Sequence, residues 1–164
     1  MPFSPRLKAC HDRMAVSGER ADPGLEEGRA FVWQRHGVCL PASYEALMEL
    51  FGPGTLGGFL HVHPASDLQL HRERLQPFLD EELEALLAET GDVLIFADSD
   101  NGDMCGWSLA ELKAGSEPPV WWVSDFEMGV LAGSVTDLTE RLLAGEDLFG
   151  TGALAATYVC SSPR

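Results

Sequence analysis

Asn101-Gly102 lies between two apolar runs, Val93–Ala97 and Met104–Trp107, and no other feature limits the fold as strongly. Asn-Gly between strand-like segments is a strong short-range hairpin signal, because a type I′ turn needs positive φ at both central residues. The same stretch, "DSDNGD", offers side-chain oxygens as a calcium loop does. An EF-hand loop needs Gly at its sixth position and a bidentate Glu at its twelfth. Counted from Asp98 those places hold Asp103 and Leu109, and strands rather than helices flank the loop. The hairpin is the better reading. It leaves Asp98, Asp100 and Asp103 projecting from the turn as an acidic knuckle.

The rest of the chain supplies helices and further strands around this hairpin. "LEEGRAFVWQRHG" predicts a short helix stopped at Gly37. "LPASYEALMELFGPGT" predicts a second, with Pro41 in its first turn. Tyr44, Leu47, Met48 and Phe51 share its apolar face, and Gly52-Pro53 ends it. "GGFLHVHP" reads as a strand closed by Pro64. Ser66 is placed to cap a helix that Pro77 breaks in two, with Leu79, Leu83, Leu86 and Leu87 lining the second piece. "PPVWWVSD" is a strand after the hairpin, and "SVTDLTERLLAG" is a helix with Ser134 as N-cap and Val135, Leu138 and Leu142 facing the core. "GALAATYVC" reads as a last strand. Runs of strands joined by short turns, with helices before and after, predict an α+β fold: one mainly antiparallel sheet flanked by helices. A length of 164 residues fits one domain. Residues 26–164 are assigned to it, and residues 1–25, which show no sustained periodicity, to a loosely held arm in which Met14 is an alternative start.

Charge narrows the function. Eleven Lys and Arg stand against 26 Asp and Glu, a net −15. Residues 1–29 are neutral, and residues 30–164 carry the whole imbalance. Such a field repels phosphate backbones and argues against nucleic acid, while it attracts a basic partner and speeds encounter with it. No apolar run reaches the ~20 residues that span a bilayer, and the first twenty residues hold no signal-like apolar segment, so a cytoplasmic protein is expected. The four cysteines form no CxxC pair and no zinc spacing, and Cys39 and Cys105, among apolar neighbours, are expected to be small core residues.

Chemical motifs are sparse. In "HVHP", His61 and His63 alternate on a strand and share a face. They could begin a metal site in a metal-dependent enzyme, but no spacing names a third ligand. "GPGTLGG" lacks the GK[ST] of a phosphate loop, and neither GxSxG nor HExxH occurs. No cofactor is implied. Trp121 and Trp122 are adjacent, so on a strand they face opposite ways: one is expected in the core, and the other either anchors a partner or is covered by a helix.

Taken in order, "LPASYEALMELFGPGTLGGFLHVHP", Asp67-Leu68, an acidic helix, "GDVLIFADSDNGDMCGW", "PPVWWV" and "GSVTDLTERLLAG" resemble the SUKH superfamily of Smi/Knr-type domains, in a form common in bacteria. The resemblance runs from about Phe31 to Gly145. Its most specific pieces are Leu40-Pro41 with Tyr44, Gly52-Pro53-Gly54, and Asp100-Asn101-Gly102-Asp103 followed by Trp107. Many members carry a Glu in the first helix near the place that Trp33 holds here. The resemblance implies an antiparallel α+β domain with no enzymatic role. Many bacterial members look like immunity proteins that bind and neutralise a toxin, often a nuclease, and fungal relatives act as regulatory scaffolds in cell-wall assembly. The residues expected to meet such a partner are Glu81, Glu82, Glu84, Asp98, Asp100 and Asp103, with Trp107 or Trp122 as aromatic anchor.

Overall fold

A computed structural model of the chain describes residues 4–124 and 127–161. Asp125, which ends the segment read as the third strand, lies outside the described residues. In chain order the elements are α1 (Pro5–Arg13), β1 (Ala15–Ser17), α2 (Leu25–His36), α3 (Ala42–Phe51), β2 (Gly54–Leu56), β3 (Leu60–Val62), β4 (Gln69–Leu70), α4 (His71–Leu75), α5 (Glu81–Thr90), β5 (Val93–Ser99), β6 (Met104–Ser108), α6 (Leu109–Lys113), β7 (Val120–Val123), β8 (Met128–Ala132), α7 (Val135–Leu143) and β9 (Thr157–Cys160). The fold is α+β, as expected.

All the strands join one sheet in the order β1-β9-β2-β3-β5-β6-β7-β8, with β4 alongside β5. Every pairing is antiparallel except β1 with β9, which is parallel. The two faces of β5 show how the sheet is used. Leu94 and Phe96 enter the main core, whereas Val93 and Ile95 enter a smaller cluster with Met104 and Val123 on the other face. A strand covered on both sides loses polar alternation, and "VLIF" has none. Over the main face α1, α3 and α7 pack against one another. Tyr44 and Phe51 of α3, Leu7 and Cys10 of α1, and Val135, Leu138 and Leu142 of α7 are buried there. Trp107 of β6 stacks on Phe96 with ring centroids 4.4 Å apart and meets Tyr44 edge-on at 5.2 Å. Helix α2 lies so close to the Pro64–Asp67 turn that a Cβ on Gly28 would fall 2.4 Å from the Ala65 Cβ.

Several expectations are corrected. Residues 5–13 are not a loose arm: they form α1, and Leu7, Cys10 and Met14 join the core. The segment expected to run as a helix from Ser66 instead makes a 3-10 turn at Ala65–Asp67, the two-residue strand β4 and the short α4. The acidic helix after Pro77 does form, but Asp80 caps it, its Oδ1 accepting the Leu83 N–H at 2.9 Å. Leu83 and Leu87 are its buried residues. Cys105 is buried, as expected, but Cys39 is exposed. Strand β1 lies in the segment expected to be a loose arm, and β2, β4 and β8 likewise have no counterpart in the sequence reading.

Candidate functional site

The hairpin turn differs in type from the expectation. The Gly102 N–H donates to the Ser99 carbonyl at 3.1 Å, and the Ser99 N–H to the Asp103 carbonyl at 2.8 Å. Gly102 alone in the turn has positive φ, +87°. This is a three-residue loop, a tight turn across Asp100 and Asn101 followed by glycine in the left-handed region, which is the other common hairpin solution. The Ser99 hydroxyl braces it, accepting the Asp103 N–H at 3.0 Å and donating to the Asn101 side-chain oxygen.

Register then decides where the acids go. His61 of β3 lies opposite Asp98 of β5, and Thr55 of β2 lies opposite His61. Residues directly opposite share a face, so two histidines spaced by two meet two aspartates spaced by two. The His61 Nε2 is 2.5 Å from Asp100 Oδ1, and its Nδ1 is 3.0 Å from the Thr55 hydroxyl. The His63 Nε2 is 2.9 Å from Asp98 Oδ2, and the same oxygen accepts from Arg74 of α4 at 2.6 Å. Burial works to raise the Asp98 pKa, but hydrogen bonds from His63 and Arg74 outweigh it and hold the carboxyl at about 2. Two shallow clefts adjoin the row. One of about 510 Å³ is lined by Thr55, His61, His63 and Pro64, and one of about 610 Å³ by Phe31, Arg35, His63 and Arg74, so His63 borders both.

The chemistry open to this row is limited. A metal needs donors converging on one point, and here each imidazole turns to a carboxylate of its own. Among the described residues no three His, Cys, Asp or Glu are grouped to hold an ion. Thr55, His61 and Asp100 are connected like a hydroxyl–imidazole–carboxylate relay. Such relays rely on a buried carboxylate to orient the imidazole, and Asp100 is more than half exposed. The row is a hydrogen-bonded cross-strand cluster that holds the hairpin against β3.

The expected partner-binding residues therefore divide. Asp98 and Asp100 are engaged within the molecule, and Asp103 is half-buried beside the turn. Trp107 is fully buried and is a core residue, not an anchor. Trp122 lies opposite Cys105 and is half-buried, while Trp121 on the other face donates its Nε1–H to Glu111 at 2.9 Å. Glu81, Glu82 and Glu84 are exposed in the first turn of α5. Sequence reasoning missed Phe78, 74% exposed just before α5, and Trp33, 61% exposed on α2. It also missed Arg74 and Thr55 in the histidine row. The matched two-residue spacing of His61/His63 and Asp98/Asp100 was the signal that could have found the row.

Among the described residues no helix is long and apolar enough to cross a membrane. No protein-family model, curated protein or solved structure matches the chain.

Proposed function

We propose that this chain is a non-enzymatic binding module that captures a basic protein, in the manner of a SUKH-type immunity protein neutralising a toxin such as a nuclease. One observation carries the reading. Arg6, Lys8, Arg29, Arg35, Arg72, Arg74 and Arg141 are each held in an ion pair inside the molecule. Glu81, Glu82 and Glu84 have no ion pair among the described residues, and Phe78 stands exposed beside them. Seven of the eleven Lys and Arg are thus paired with acids of the chain itself, and the molecule keeps its net −15, with the first turn of α5 as an uncompensated acidic ridge. An exposed aromatic beside a dense negative ridge suits a basic surface: charges steer the encounter and set partner choice, and the aromatic sets residence time.

The test is capture on the immobilised chain from its own cells, with mass spectrometry of what elutes. The expected partner is a basic protein that elutes between about 0.15 and 0.5 M salt, where the screening length falls below about 8 Å. Replacing Glu81, Glu82 and Glu84 together by Lys should abolish capture. A partner that holds equally in high salt, or ignores that triple change, ends the proposal. A regulatory scaffold with no toxin partner would present the same surface. It is distinguished by the captured protein being no toxin.

A further inference from the structure

Among the described residues, strand β8 ends the sheet, pairing with β7 and with no other strand. The sequence of this edge is Met128-Gly-Val-Leu-Ala132, without charge or proline. Exposed edges are normally blunted by charge, proline or extreme shortness, since their free backbone groups template further pairing. The opposite edge, β1, is three residues long; β8 is five and unguarded. Which groups it offers follows from the ladder. The Ser124 N–H donates to the Glu127 carbonyl at 2.9 Å, so Ser124 and Glu127 form a hydrogen-bonded pair. Antiparallel pairs alternate. Trp122–Gly129 is therefore the next bonded pair, and Met128 and Val130 turn their N–H and C=O groups outward. One further edge group, the Leu131 carbonyl, accepts from Arg141 at 2.6 Å. Val130 is 60% exposed although its neighbour across the ladder is Trp121.

We infer that this edge pairs with a second copy of the chain, β8 against β8, antiparallel about a two-fold axis at Gly129. The edge is complementary to itself in that register. Met128 of one copy faces Val130 of the other, so the outward backbone groups of both residues are satisfied on both chains. Opposed residues share a face. A continuous apolar row then runs Trp121, Val130, Met128 of the partner copy and Val123 of the partner copy. Gly129 meets Gly129, and a Cβ there would have nothing within 4 Å, so the backbones can approach. Glu127 falls opposite Leu131 of the partner copy, beside the guanidinium of Arg141 that holds that carbonyl and is already paired with Glu146, so the two mirrored rim pairs share a cation that each copy also uses internally. Against this stands a net −15 on each copy. Two rim pairs contribute little in water, whereas repulsion between the two bodies is long-range and screened by salt. Self-pairing should therefore tighten as salt rises, opposite in sign to capture of a basic protein, so the two readings fail independently.

Sedimentation velocity of the full chain from about 0.05 to 1 M NaCl tests this. The expected result is a concentration-dependent dimer, twice the 17.8 kDa of one chain, that strengthens with salt. Val130→Lys places a charge on the edge and should weaken it about tenfold or more, and Glu127→Lys should weaken it less. Circular dichroism of both variants checks that they remain folded. A monomer at every salt and concentration, a dimer that dissociates with salt, or a dimer indifferent to Val130→Lys in a folded variant would overturn the inference. The first of these would leave the edge to a strand from another protein.

Discussion

Asp98 accepts from His63 and Arg74 through one oxygen while three-quarters buried. Its folded pKa, about 2, lies below the ordinary 3.8. The stabilisation is therefore in full force above about pH 4 and is lost as pH falls through about 2. A shift of this size corresponds to about 2 kcal/mol. Asp98→Asn should cost on that order at pH 7 in urea unfolding, and the gap to wild type should close as pH falls from about 4 towards 2. A gap that stays constant over that range would mean that the carboxylate charge is not what the site uses. At this scale the sequence was partly legible. The side chains of the row were named from "HVHP" and "DSDNGD", but their pairing was not, because it depends on register, and one residue of slip would have turned all four away from one another. Trp107 shows the opposite failure. A tryptophan after a turn reads equally well as anchor or as core, and only the proximity of Tyr44 and Phe96 decides.

Helices α3 and α7 and the β5–β6 hairpin were readable because each carries its own punctuation: an apolar period, a capping or stopping residue, a turn. Strands β2 and β4, of three and two residues, are too short for any period to register. Helix α1 was hidden by Pro2, Pro5 and Gly18, though Leu7, Cys10 and Met14 keep helical spacing and are buried. The contact of α2 with the Pro64–Asp67 turn can be tested at Gly28. An alanine there would put its methyl 2.5 Å from the Ala65 backbone as well as against its side chain. Backbone cannot rotate aside as a flexible side chain can. Gly28→Ala should therefore lower stability by about 1–3 kcal/mol in urea despite the better helix propensity of alanine. Unchanged or higher stability would show that α2 does not sit on that turn as described.

The whole sheet is built from its ends inward. Strand β9, residues 157–160, lies between β1 and β2, and Tyr158 packs on Phe51 at 4.7 Å while its hydroxyl donates to the Gly52 carbonyl. Nothing local in "GALAATYVC" says that this strand is interior, so its existence is legible but its place in the sheet is not. Ending the chain after Ala156 should therefore do more than trim a tail. It strips β1 of its sheet partner and opens β2, and the cooperative unfolding transition should be lost or shifted down by tens of degrees in calorimetry. A truncated chain melting within a few degrees of the full one would contradict the topology.

The parallel pairing of residues 15–17 with 157–159 also has a meaning in time. A ribosome adds about 5–20 residues each second. About 140 residues separate the two strands, so β1 is made on the order of ten to thirty seconds before anything exists for it to pair with. Until then the nascent chain carries Leu7, Cys10 and Met14 without their finished shelter, a window in which those side chains stay open to other apolar surfaces.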